Sequence, residues 1–183
     1  MTRIATECGT SVDRALEIIR NGRLVAIPTE TVYGLGADAE REEAVSAIYR
    51  TKGRPTDHPL IVHIAQAQDA RHFADPIPDF AWALMNAHWP GPLTLILPRR
   101  AHVATGSAAG QASIGLRCPS HPVAQALLRA ARGLGVHGVG MTLKYRLEHR
   151  DGQSLWWERL LFWLCWISLV GLAVWIGAKL LAG

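Results

Sequence analysis

Between Ala26 and Ile64 the chain concentrates residue types suited to binding anions and hydroxyl-bearing ligands. Thr29, Glu30 and Thr31 place two hydroxyls around one carboxylate just after the apolar run Leu24 to Pro28. A polar cluster at the end of a buried strand is where open α/β sheets place ligands. Lys52, Arg54, His58 and His63 follow within a dozen positions. Arginine suits bidentate contact with phosphate or carboxylate, and lysine acts as a compact charge. These cations read either as an anion site or as complements to the dipole of a preceding helix, an effect of about 0.3 to 1 kcal/mol. Their density exceeds what one helix end needs. Arg117 closes a second apolar run that begins at Ser113. An unpaired internal charge is costly, so Arg117 either points into a polar cavity or snorkels to the surface.

The elements that must carry these residues follow from periodicity. Ser11 caps a helix over Val12 to Asn21, with Val12, Ala15, Leu16 and Ile19 on one face and Gly22 as its stop. Leu24 to Pro28 is too short for a helix and reads as a strand. Gly34 and Gly36 then suit a turn with positive φ or close approach to a bound group. Asp38 is expected to cap a second helix, with Ala44, Val45, Ala47 and Ile48 inward and an end near Thr51, before Gly53 and Pro55. Leu60 to Ile64 is the next strand. Short and longer helices are predicted at Ala67 to His72 and at Pro78 to His88, the latter with Phe80, Ala81, Leu84 and Met85 at helical spacing.

Trp89-Pro90-Gly91-Pro92 forms a rigid turn, with Trp89 either flooring a pocket or plugging the core. Leu93 to Leu97 reads as a strand, Ala101 to Ala112 as a mobile surface loop, and Ser113 to Arg117 as a strand. Pro122 to Arg132 is a helix expected to face inward through Val123, Ala126, Leu127 and Ala130. A last strand begins at Val136.

The 183 residues suit one domain. A net charge of +4 and a pI near 9.3 hint only mildly at polyanionic partners. Cys8, Cys118 and Cys165 are scattered, without zinc or disulfide spacing, and fit a reduced cytosolic setting. The polar start, Met1 to Ser11, lacks the character of a signal peptide. Composition changes sharply near the end, where Trp156, Trp157, Trp163, Trp166 and Trp175 account for five of the seven tryptophans.

The run P-T-E-T-V-Y-G-L-G, followed by K-G-R-P and H-P-L-I-V-H-I, resembles the YrdC-like family of threonylcarbamoyl-AMP synthases. W-P-G-P-L-T at Trp89 to Thr94 and S-I-G-L-R-C-P-S-H-P at Ser113 to Pro122 resemble it as well. Five ordered blocks across about 140 residues make a specific match. The resemblance implies an α/β fold with a twisted, mixed sheet, flanking helices and a positively charged cavity. It implies formation of threonylcarbamoyl-AMP and pyrophosphate from L-threonine, bicarbonate and ATP, for threonylcarbamoylation of tRNA adenosine. By position, Thr31, His63 and Arg117 correspond to threonine-binding residues. Lys52 and Arg54 correspond to the basic pair that faces the ATP phosphates and acts in catalysis, while His58 and Ser113 stand at nucleotide-contacting positions. Magnesium is expected with the triphosphate, although the sequence carries no acidic metal cluster. tRNA-modifying transferase proteins are the implied partners.

The resemblance stops at about Gly140. The family's serine-x-asparagine block is absent from residues 141–183, which contain no asparagine. Leu160 to Ala178 is instead a nineteen-residue uncharged stretch between Arg159 and Lys179. As a helix it would span roughly 28 Å, close to hydrocarbon thickness, and its tryptophans suit an interfacial belt. The sequence thus predicts a YrdC-like domain over 1–140, a divergent linker over 141–158 and a transmembrane helix over 159–183. Lys144, Arg146, Arg150 and Arg159 before the stretch, against Lys179 after it, would hold the domain on the inner, cytoplasmic side of the membrane. Two alternatives remain: a module that binds double-stranded RNA or tRNA through its basic residues, and a membrane-tethered remnant impaired in catalysis.

Overall fold

The computed structural model describes Gly9 and residues 11–143. Six strands form one mixed sheet: β1 (Val25–Pro28), β2 (Tyr33–Asp38), β3 (Ile61–His63), β4 (Thr94–Pro98), β5 (Ser113–Arg117) and β6 (Val139–Leu143). Their spatial order is β1-β2-β6-β3-β5-β4. Among the described strands only β3 and β5 pair in parallel, with His63 in register with Arg117. The other neighbours run antiparallel.

Among the described residues five α-helices flank this sheet: α1 (Val12–Arg20), α2 (Glu42–Lys52), the single turn α3 (Ala70–Phe73), α4 (Asp79–His88) and α5 (Pro122–Arg132). Side chains alternate between the faces of a strand, so the sheet carries an apolar layer on each side. Val139 and Met141 pack with Ile27 against α1 and α5. On the opposite face Val62, Ile114 and Leu116 pack against Ala81 and Met85 of α4, and Ala37 packs against α2. Ser11 accepts from Arg14 N and caps α1 as its sequence predicts.

Several local expectations are corrected. Gly34 and Gly36 lie within β2, and neither has positive φ. Their missing side chains admit the neighbouring strand: a Cβ at Gly36 would stand 2.7 Å from Val139 Cγ1, and one at Gly34 would collide with Met141. Asp38 does not cap α2. Its Oδ1 accepts from Glu40 N at 3.1 Å, and Arg41 occupies the cap position without a side-chain bond. The buried face of α5 is Ala124, Gln125, Leu127, Leu128 and Ala131, whereas Val123 and Ala126 are exposed. Phe80 and Leu84 of α4 are exposed as well.

The 101–112 loop is pinned into the fold. Ala104, Ser107 and Ala108 are buried, Ser107 Oγ donates to Ala39 O at 2.7 Å, and Leu60 N donates to Ser107 O. Trp89 is half-buried against the core and donates through Nε1 to Leu93 O. The strand expected from Val136 runs from Val139 to Leu143, past the point at which the sequence resemblance ends. Among the described residues no helix is long and apolar enough to cross a membrane. The apolar segment 160–178 and the expected boundaries at 158 and 159 lie outside the described residues.

Candidate amino-acid and anion site

The turn joining β1 to β2 is held by one hydroxyl. Thr29 Oγ1 donates to Val32 O at 2.6 Å and accepts from Val32 N at 3.2 Å, while Thr29 itself is buried. This small knot presents Glu30 and Thr31 toward the end of β5. Arg117 Nη2 donates to Glu30 Oε1 at 2.8 Å and to Thr31 Oγ1 at 3.2 Å. Glu30 Oε2 accepts from Ser120 N at 3.1 Å, so the carboxylate ties the turn to the loop that follows β5. The guanidinium therefore points inward to partners rather than snorkelling outward, and its side chain is 3% exposed.

Electrostatics sharpens this cluster. Burial pushes the Glu30 carboxyl up, but the hydrogen bond and charge of Arg117, with N–H donors of Glu30 and Ser120, outweigh it and hold the group below its ordinary range. His63 is fully buried at the end of β3. Burial, reinforced by the charge of Arg117, pushes its imidazole down to about 4. Its Nδ1 lies 3.1 Å from Ile61 O. A carbonyl only accepts, so neutral His63 carries its proton on Nδ1 and leaves a lone pair on Nε2. His63 Nε2 and Arg117 Nε are both buried without a protein partner. Unsatisfied buried polar atoms are rare in native folds and fit a bound water or polar ligand.

The basic residues stand at the end of α2 and in the loop that follows it. Lys52 ends α2 and Gly53 caps it with φ of 56°. Burial, then the neighbouring Arg54, lowers the Lys52 ammonium below its ordinary range. Arg54 Nη1 donates to Thr142 Oγ1 of β6 at 2.8 Å. His58 is exposed, its ring 4.0 Å from Asp57 and its carbonyl accepting from Tyr49 Oη. Ser113 begins β5 on the same face as Gly115 and Arg117.

Thr31 and Arg117 thus meet directly and His63 lies in register beside Arg117, while Arg54 is tied to Thr142 of β6. His58 and Ser113 make no hydrogen bond to the Arg117 cluster. Two clefts of about 410 and 280 Å³, one beside Arg129, Arg132 and His137 and the other beside Arg71 and Arg100, include none of the seven sequence-predicted residues. Glu30, Thr142 and Ser120 belong to these networks but were not among the site residues read from sequence. The P-T-E-T string contains Glu30 and the S-I-G-L-R-C-P-S-H-P block contains Ser120, whereas Thr142 enters only through a long-range contact.

Residues 17–138 match the Sua5_yciO_yrdC family, described as telomere recombination. Threonylcarbamoyl-AMP synthase of Bacillus subtilis is 46% identical over 119 residues, covering 64% of this chain and 34% of its own length. The Pyrococcus abyssi protein of the same name is 47% identical over 114 residues, covering 62% of this chain and 34% of its own. The crystal structure of P. abyssi Sua5 complexed with L-threonine superposes with a TM-score of 0.68 at 41% identity, covering 72% of this chain and 37% of that one. The chain thus spans about a third of the length of these relatives.

Proposed function

The chain belongs to the Sua5/YciO/YrdC family, and from that membership we propose that it forms threonylcarbamoyl-AMP and pyrophosphate from L-threonine, bicarbonate and ATP. The observation that carries this reading is the convergence of Arg117, Thr31 and Glu30 beside neutral His63. A guanidinium offers a carboxylate paired, directional donors, and Thr31 and His63 offer a hydroxyl and a lone pair to the rest of an amino acid. The L-threonine complex of the P. abyssi relative supports that ligand.

In the reaction, the neutral amine of threonine attacks bicarbonate-derived carbon dioxide and loses a proton, giving a carbamate. A carbamate oxygen then attacks the α-phosphorus of ATP, and pyrophosphate leaves with the electrons of the broken P–O bond. Lys52 and Arg54 would offset charge on the phosphoryl oxygens, the contribution expected of preorganised cations. His58 and Ser113 would contact the nucleotide. Magnesium would travel with the triphosphate, whose oxygens coordinate it. Among the described residues no group of three or more His, Cys, Asp or Glu side chains is arranged to hold a metal ion, so no protein ligand is assigned.

The product would pass to the transferase proteins that modify tRNA, in a cytoplasmic setting. Without a serine-x-asparagine block in residues 141–183, threonine-side contacts should outlast ATP affinity. Mass spectrometry of reactions with the purified full chain tests the activity. Threonylcarbamoyl-AMP that disappears in Lys52→Ala and Arg54→Ala supports the assignment; no product from the wild type, despite threonine binding by titration calorimetry, overturns it as a synthase.

A further inference from the structure

We infer that Glu30 recognises the ammonium group of the amino acid and is thereby a specificity-determining residue of this site. The inference rests on the function proposed above, with Arg117 as the carboxylate clamp. Arg117 and Glu30 form a pair of opposite charges 2.8 Å apart, and their side chains are 3% and 20% exposed. The cation is sealed while the anion keeps an open side. A free amino acid carries its own opposite charges on groups joined through a single carbon. The Arg117–Glu30 pair is the electrostatic counterpart of that arrangement.

The carboxylate has capacity to spare. Two oxygens offer about four acceptor positions, and Arg117 Nη2, Ser120 N and the Glu30 N–H itself take up three of them, which leaves about one for an ammonium group. Those bonds, with the Thr29 knot behind them, fix the carboxylate before any ligand arrives. Its depressed pKa keeps it ionised at neutral pH. It also makes Glu30 a weak proton acceptor, so its part is to select and orient the amine and not to deprotonate it. A purely structural role, as the counter-ion of buried Arg117, would not distinguish an amino acid from the same acid without its amine.

Titration calorimetry of the full chain with L-threonine and with 3-hydroxybutyrate, which lacks only the amine, separates these roles. Glu30→Gln should weaken threonine roughly tenfold and leave 3-hydroxybutyrate within about twofold. Equal loss of both ligands, or unchanged threonine affinity, overturns the role of Glu30 and leaves the amino-acid site standing. A wild-type chain that binds neither ligand overturns the site itself and Glu30 with it. Should Glu30→Gln lose its cooperative thermal transition, Glu30→Asp keeps the charge on a shorter arm. Retained preference for threonine in that variant supports the inference, and loss of preference overturns it.

Discussion

Arg54 and Thr142 are joined by a 2.8 Å hydrogen bond across 88 positions of sequence. The bond ties the basic loop after α2 to β6, a strand whose second half lies beyond the recognisable motifs. Thr142 is buried, and its hydroxyl is the acceptor that orients a guanidinium proposed to meet phosphate. Thr142→Val keeps the β-branched shape and removes that acceptor. Because Arg54 is only half-buried and can turn to water, the expected loss of stability is about 1.5 kcal/mol, at the low end for bonds to charged groups. Affinity for ATP should fall while threonine affinity holds. Thermal denaturation together with paired calorimetric titrations checks both; an equal loss of both ligands would place Thr142 elsewhere in the energetics.

Acid should reveal His63 before Glu30. Its pKa lies near 4 in the folded protein against 6.5 when unperturbed, so the unfolded chain takes up a proton first as pH falls. Stability from this group is complete above pH 6.5 and is lost progressively toward pH 4, by about 3 kcal/mol in all. Glu30, also depressed, contributes stability above its ordinary value of 4.5 that is lost only at lower pH. In denaturant titrations, the stability gap between wild type and His63→Gln should narrow by about 3 kcal/mol from pH 7 to pH 4. A gap independent of pH across that window would contradict this assignment.

Two glycines should differ in their tolerance of a methyl group. A Cβ at Gly138 would stand 2.6 Å from Val62 Cγ1 and 2.8 Å from Phe73 Cζ, both in the core. At Gly34 the obstacle is the thioether of Met141, a side chain that can swing aside. Gly138→Ala should cost about 1 to 3 kcal/mol, the usual range for overpacking, and Gly34→Ala clearly less. Equilibrium unfolding of the two variants side by side gives the comparison, and the reverse order would show that the Val62–Phe73 contact yields more readily than Met141.

Elements set by local signals were readable from the chain. Ser11 announced α1, Gly53 ended α2, and the bounds of β5 and α5 fell where the sequence placed them. Readings failed where distant partners decide. Gly34 and Gly36 resemble a turn until β6 packs across them. The inner face of α5 was misjudged because alanine marks no side clearly, and because Gln125 is buried only by donating to Pro119 O and Cys118 Sγ. Likewise the meeting of Thr31 with Arg117 was legible as two motifs, but Glu30 as the bridge between them required coordinates. The bond from Arg54 to Thr142 of β6 was likewise set by tertiary placement.

The position of β6 has a temporal meaning. It lies between the hairpin formed by β1 and β2 and the strands β3, β5 and β4, yet it is the last strand of the six to be synthesised. On the ribosome the amino-terminal hairpin must wait for its neighbour, since domains complete their folding as the chain emerges. Any nascent chain halted before Val139 would hold two halves of a sheet with no seam between them.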